Sequence, residues 1–227
     1  MSNYSFLNPF SYQLVRNNTD LLENEPFSFF IDGEWLCKFF RWFTPLNPKR
    51  ISFDMTTLAP KVFESCSKEQ KSVYFIGSQA NEIAEAMGKI KEAYPNLRIA
   101  GYRDGYIKGV EKDAYHEILS SGADVVVVGM GTPLQEQFLL KLMKEGFKGH
   151  GFTCGGFLHQ TAKQLAYYPQ WVDRMNLRWA YRIYDEPKLF SRYFIDYPKF
   201  VFKFLYDLKY NRWWEGKIIE DYPDEII

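Results

Sequence analysis

Through the middle of the chain, hydrophobic positions follow two periods in turn. Ser72-Val-Tyr-Phe-Ile76 is a short apolar run broken by Gly77-Ser78. Asn81 to Tyr94 then sets Ile83, Ala84, Met87 and Ile90 at helical spacing, with Pro95 beyond it. Leu97 to Ala100 predicts a second strand, Gly101 to Gly105 a loop, and Val110 to Ser121 a helix stopped by Gly122. Asp124-Val-Val-Val-Val128 is the clearest strand, because a run of β-branched residues fits burial on both faces, as in a parallel sheet. Gly129 to Pro133 reads as a loop, Leu134 to Glu145 as a helix ending at Gly146, and a further strand runs to Cys154 before Gly155-Gly156. Upstream, Phe27-Ser-Phe-Phe-Ile31 reads as a strand closed by Asp32-Gly33.

Strand and helix alternating through short connections predict βαβ units and a mainly parallel sheet. Ligands of such sheets sit beyond the carboxyl ends of the strands. The loops expected there are Gly77-Ser78, Gly101–Gly105, Gly129–Gln135 and Cys154–Gly156. From about Trp171 the alternation stops and the remainder reads as helical. The expected organisation is therefore a core over 1–170 and a helical appendage over 171–227, with a frayed acidic tail at Glu220 to Glu225.

Composition narrows the class. Lys+Arg and Asp+Glu both number 28 in 227 residues, so the chain carries no net charge to drive bulk nucleic-acid binding. The cysteines Cys37, Cys66 and Cys154 form no CxxC pair, which points to reduced cytoplasmic thiols. The N-terminus lacks a signal-peptide pattern, and no window is long and apolar enough for a transmembrane helix. A membrane, if met, would be met from its surface.

Several residues could carry chemistry. Gly129-Met-Gly-Thr-Pro-Leu-Gln-Glu136 follows a buried strand and opens a helix; its glycines admit a ligand to the backbone, and a helix start attracts phosphate. The same residues would equally make a tight turn with Pro133 as first helical residue. It is neither GxGxxG nor a Walker loop. Cys154-Gly-Gly-Phe-Leu-His159 is a second glycine turn at the same edge, where His159 could contact phosphate or transfer a proton, or serve structurally. Asp32, at a strand's carboxyl end, is placed to take a proton from an acceptor hydroxyl, or to form an Asp-Gly turn. Asp54 and Asp104 are rival carboxylates. Arg174, Arg178 and Arg182 are spaced by four, one helical face, and could stabilise a leaving diphosphate where no DxD metal motif exists; a solvated basic face would look the same. Lys188 to Trp214 holds eleven aromatics interleaved with Lys199, Lys203, Lys209 and Arg212, which suits a lipid interface or a packed helical face.

These motifs resemble the WecG/TagA/CpsF glycosyltransferases. The G-x-G-x-P-x-Q-E signature is met by Gly129 to Glu136, and the likeness continues through Tyr168-Pro169, Trp171, Asn176-Leu-Arg-Trp179, Tyr181-Arg182, Glu186-Pro187 and Arg192-Tyr193. Tyr74 to Gly77, Tyr94-Pro95, Gly101 and Gly105-Tyr106 fit as well, so the resemblance spans about Asn8 to Tyr193. It implies a Rossmann-like α/β fold and a membrane-associating C-terminal appendage. It implies inverting, metal-independent and cofactor-free transfer from a UDP-sugar to a polyprenyl-diphosphate-linked saccharide, at the inner face of the plasma membrane. By resemblance Asp32 is the base, Asn8 a pocket asparagine and Gln135 a nucleotide-sugar contact. The Gly129, Gly131 and Thr132 loop and the Gly155-Gly156 turn hold the donor, with His159 in the pocket. Arg174, Arg178, Arg182 and Arg192 supply cations to the diphosphate.

The chain departs from the family where F-D-x-x-A-G reads Phe157 to Lys163, with His159 in place of Asp, and where R-A-P reads Tyr167-Tyr168-Pro169. GGFLHQTA with YYP resembles the exopolysaccharide branch that includes the xanthan-assembly glucosyltransferase. The family's initial strand and helix are expected to be missing, with a rearranged edge or a homo-oligomer compensating. Two rivals are a non-catalytic subunit of a polysaccharide assembly complex and, on fold alone, a nucleotide-dependent oxidoreductase.

Overall fold

The computed structural model describes residues 2–22, 27–175, 177–222 and 227. Its strands are β1 (Asn3–Leu7), β2 (Ser28–Ile31), β3 (Ser72–Gly77), β4 (Arg98–Arg103), β5 (Val125–Gly129) and β6 (His150–Thr153). They form one sheet in the order β2-β1-β6-β5-β3-β4, every pairing parallel. The helices are α1 (Pro9–Val15), α2 (Thr19–Leu22), α3 (Glu34–Phe43), α4 (Leu58–Lys68), α5 (Ala80–Ala93), α6 (Glu111–Ser121), α7 (Leu134–Lys144), α8 (Phe157–Lys163), α9 (Gln170–Arg174), α10 (Arg178–Asp185) and α11 (Tyr197–Tyr210). A 3-10 turn at Pro187–Leu189 and a π-helical turn at Arg192–Asp196 join α10 to α11.

The valine run shows why the sheet is buried on both sides. Val126 and Val128 enter one apolar layer with residues of α1, α3, α6, α7 and α11, while Val125 and Val127 enter the other with residues of α4, α5 and α8. Side chains alternate across a strand, so each face of β5 needs its own apolar pair.

The chain opens with a strand and a helix that the hydrophobic pattern does not announce. In β1, Tyr4 and Phe6 fill the second layer, but Ser5 between them is polar and fully buried. Its hydroxyl donates to Glu136 of α7 at 2.7 Å, so the interior of this strand is partly hydrophilic by design of its partner. Asn8 ends β1 and caps α1, its Oδ1 accepting the N–H groups of Phe10 and Ser11, both at 3.0 Å.

The aromatic C-terminal stretch divides by face. Phe200, Phe204, Trp213 and Trp214 are buried with Tyr12 and Phe40, and the Phe204 and Trp214 rings stack at 5.4 Å. Asp207, fully buried on the same helix, accepts from Tyr12 Oη at 2.8 Å and from Arg16 Nε at 2.7 Å. Ile218 then bridges to Phe29 of β2. Phe202, Tyr206 and Tyr210 stay on the exposed side. No helix among the described residues is long and apolar enough to cross a membrane. Asn176 and the tail positions 223–225, both singled out in the sequence, lie outside the described residues.

Candidate active site

The register of the sheet assembles the site. Leu7 pairs with Ile31, so Asn8 and Asp32 are the next residues out of adjacent strands. Gly77 pairs with Gly129, and Val128 with Thr153, so the glycine turns after β3, β5 and β6 leave side by side at the same edge. Between these loops and α9–α11 lies a cleft of about 730 Å3.

The cleft wall includes Asn8, Asp32, Gly129, Gly131, Thr132, Gln135, Gly155, Gly156, His159, Arg178, Arg182 and Arg192. Arg174 does not join them. It closes α9, is exposed, and is cut off from α10 by the turn in which Leu177 N–H reaches back to Val172 O at 2.9 Å. The three arginines spaced by four thus do not share a helical face: the helix breaks between Arg174 and Arg178. Asp104 is likewise outside the cleft wall, and its Oδ1 accepts from Tyr106 N–H at 2.9 Å in a local turn.

At the turns after β5 and β6 the glycines have steric reasons. A Cβ on Gly129 would lie 2.9 Å from Cys154 Sγ and 3.1 Å from Gly155 O, so the two turns approach too closely for any side chain there. Gly131 adopts φ +78°, the left-handed region that favours glycine. The Thr132–Pro133 peptide is cis, and Pro133 sits just ahead of α7 rather than as its first residue.

Gln135 joins these turns. Its Oε1 accepts Gly155 N–H at 3.1 Å, and its Nε2 donates to Thr132 Oγ1 at 3.2 Å and Glu136 Oε1 at 3.0 Å. The same Oε1 of Glu136 takes Thr132 Oγ1 at 3.0 Å, while its Oε2 is buried with no hydrogen-bond partner among the described residues. Burial pushes the Glu136 carboxyl up, against the hydrogen bonds from Gln135, Ser5 and Thr132. Sequence reasoning assigned Glu136 no role; its place in a helix one turn past a glycine loop was the available signal.

His159 Nδ1 meets Glu82 Oε1 at 2.7 Å, and the other Glu82 oxygen accepts from Ser78 Oγ and from Gln79 N–H. Burial raises Glu82, but its bonds to Ser78 and His159 outweigh that and hold it low. His159, Asp185 and Glu186 bring ligand atoms within 4.8 Å of one another. Lys163 already meets Asp185 at 2.7 Å, and Arg182 and Lys188 each meet Glu186 at 3.2 Å.

Across the cleft, at the end of β2, Asp32 makes one notable departure. Burial, and secondarily the neighbouring Asp54 carboxylate, push its carboxyl up to about 6, although Arg50, Arg178 and Arg182 pull the other way. Asp54 behaves oppositely. Burial raises it, but Arg178 at 2.7 Å, with Ser52 and Thr56, more than compensates and holds it below the ordinary range. Two carboxylates in one cleft therefore differ in proton affinity, the higher belonging to Asp32.

The arginines differ as well. Arg178 is engaged by Asp54, Asp173 and Thr56 and lies over the Tyr168 ring. Arg182 contacts Glu186, but its Nε is buried with no hydrogen-bond partner among the described residues, and its Nη2 would stand 3.4 Å from a Cβ built on Gly156. Arg192 lies over the Phe10 ring at 4.1 Å, and burial and then Arg182 hold its pKa below the usual arginine value. Arg182 thus stands beside the Gly155-Gly156 turn, and Arg192 lines the same cleft.

The model of the glycosyl transferase WecG/TagA/CpsF family matches residues 7–213. A UDP-Gal:alpha-D-GlcNAc-diphosphoundecaprenol beta-1,4-galactosyltransferase of Shigella boydii is 33% identical over 202 residues, covering 88% of this chain and 84% of that protein. N-acetylglucosaminyldiphosphoundecaprenol N-acetyl-beta-D-mannosaminyltransferases of Bacillus spizizenii and Bacillus subtilis are each 29% identical, over 69% and 70% of this chain. The aligned part spans 59% and 62% of those two proteins.

Proposed function

The chain belongs to the WecG/TagA/CpsF family of glycosyl transferases, and from that premise we propose that it is an inverting hexosyltransferase. It moves a sugar from a UDP-sugar to a saccharide carried on a polyprenyl diphosphate, in bacterial exopolysaccharide, capsule or cell-wall polymer synthesis. The observation that carries this reading is the pairing, in one cleft, of Asp32 held near pKa 6 with glycine turns flanked by Arg182 and Arg192.

The acceptor hydroxyl gives its proton to Asp32 as its oxygen attacks the anomeric carbon from one face of the sugar. The bond from that carbon to UDP breaks, and the electron pair leaves with the diphosphate. Arg182 and Arg192 meet the charge as it develops, with Arg178 positioning the Asp54 side of the cleft. The backbones of Gly129 to Thr132 and of Gly155-Gly156 hold the diphosphate, with Gln135 fixing both turns. Asn8, whose Oδ1 is spent on the α1 cap, offers its amide N–H groups to the acceptor beside Asp32. One displacement needs one base and no enzyme nucleophile, and so inverts the anomeric configuration.

The segment after residue 171 closes the cleft and faces the membrane. Phe202, Tyr206 and Tyr210 on its outer side, with Lys199, Lys203 and Lys209, suit the anionic inner leaflet. The test is transfer from a panel of UDP-sugars to N-acetylglucosamine diphosphoundecaprenol, read by product mass and by the anomeric coupling in the product's NMR spectrum. One UDP-sugar should yield a disaccharide lipid of inverted linkage; UDP-sugar binding without product from any of them would favour a non-catalytic subunit.

A further inference from the structure

Helix α3 carries an apolar stripe that starts inside the cleft and leaves it. Trp35, Lys38, Phe39 and Trp42 stand at i, i+3, i+4 and i+7, so they line one face over two turns, about 10 Å. Trp35 and Lys38 belong to the cleft wall, three and six residues beyond Asp32. Trp35 and Trp42 are 53% and 62% exposed, and neighbouring Phe43 is 49% exposed. Exposed tryptophans on a short helix have an energetic cost in water that function must justify.

The stripe is rigid rather than merely exposed. Phe39 packs edge-on against Phe200 at 5.4 Å and Phe204 at 5.6 Å, which fixes α3 to the buried face of α11. Phe39 also meets Trp42 at 6.0 Å. Lys38 Nζ is held over the Trp35 ring at 5.0 Å, and among the described residues no carboxylate pairs with it. Arg41, by contrast, is neutralised by Glu34 at 3.0 Å. The free cation thus stands where the stripe enters the cleft, and the apolar rings continue outward from it.

We propose that α3 is the binding track for the lipid end of the acceptor: Lys38 meets the acceptor's diphosphate, and Trp35, Phe39 and Trp42 hold the first isoprene units of its prenyl chain. This rests on the reading above that the acceptor is a lipid diphosphate. An anionic group followed by an apolar chain matches the order cation, then rings, and an alcohol linked to that diphosphate arrives beside Asp32. Hydrophobic contact with two tryptophans then makes acceptor binding depend on chain length.

The experiment compares two acceptors in detergent micelles: N-acetylglucosamine diphosphate on a long prenyl chain, and the same headgroup on a two-carbon alkyl group. The wild type should show a much lower KM for the long chain. Trp42→Ala should shrink that ratio of KM values about tenfold, and Trp42→Phe should restore most of it. Lys38→Glu should raise KM for both acceptors. Trp42 is largely exposed, so its loss leaves the core intact, which a thermal melt checks. An unchanged ratio in Trp42→Ala overturns the track. So does an unchanged ratio accompanied by weaker binding to acceptor-free anionic vesicles, which would make α3 a bulk membrane contact. A wild type that uses neither acceptor with any UDP-sugar overturns instead the reading on which the track rests.

Discussion

The side-chain carbonyl of Gln135 accepts the backbone N–H of Gly155 at 3.1 Å, so a residue after the β5 turn sets the position of the β6 turn. The two glycine turns of the cleft are thereby one hydrogen-bonded unit rather than two independent loops. Gln135→Glu keeps an acceptor for Gly155 but loses the donors to Thr132 and Glu136 and sets a second carboxylate against a buried one. It should lower stability by about 1–3 kcal/mol and weaken UDP-sugar binding more than Gln135→Ala does. Thermal unfolding and calorimetric titration with UDP check this.

Arg182 is half-buried beside Gly156, and its Nε–H is buried with no hydrogen-bond partner among the described residues. Arg182→Met should leave the unliganded melting temperature near that of the wild type, because the Arg182 side chain is only half-buried and Lys188 remains to pair Glu186. Turnover should fall by about 10²–10³. UDP should raise the melting temperature of the wild type and not of the variant.

Asp32 has a pKa raised from its unfolded value to about 6, chiefly by burial. The folded state therefore holds a proton that the unfolded state has released, and Asp32 costs stability as pH rises through this window. Asp32→Asn does not titrate. Its melting temperature should exceed that of the wild type above about pH 6, with the gap closing toward pH 4 as the unfolded carboxyl also binds its proton. For catalysis the base must be ionised, so wild-type kcat/KM should fall as pH drops through about 6.

The two faces of α11 separate stability from surface binding. Phe204 is fully buried among Phe40, Phe200 and Trp214, whereas Phe202 is 76% exposed. Phe204→Ala should cost about 3–5 kcal/mol. Phe202→Ala should change stability by less than about 0.5 kcal/mol and reduce binding to anionic vesicles. Chemical denaturation and vesicle sedimentation read the two effects.

Strands β3, β5 and β6 were legible because apolar runs there end in glycine turns that the parallel register needs. β1 was not, since Ser5 and Asn3 occupy interior positions, and Ser5 is satisfied by the distant Glu136 and Thr153. Asp32, Asn8 and the glycine turns could be named from the order of motifs, because each ends a strand at one edge. Spacing misled at Arg174, where i, i+4 periodicity assumed an unbroken helix. The pairing of Arg178 with Asp54, 124 positions apart, has no local signature, and neither does the spare donor of Arg182. Nor could the aromatic run of α11 reveal which rings turn inward before Tyr12, Phe39 and Phe40 were placed against it.

The central claim is that Asp32 activates the acceptor without holding the donor. The direct measurement is Asp32→Asn in two assays, transfer to the lipid diphosphate acceptor and calorimetric binding of the UDP-sugar. Transfer should fall by about 10²–10⁴ with donor affinity within about twofold of the wild type. Turnover within a few-fold of the wild type would remove Asp32 from the role of base, and loss of donor binding in step with activity would place it on the wrong side of the cleft.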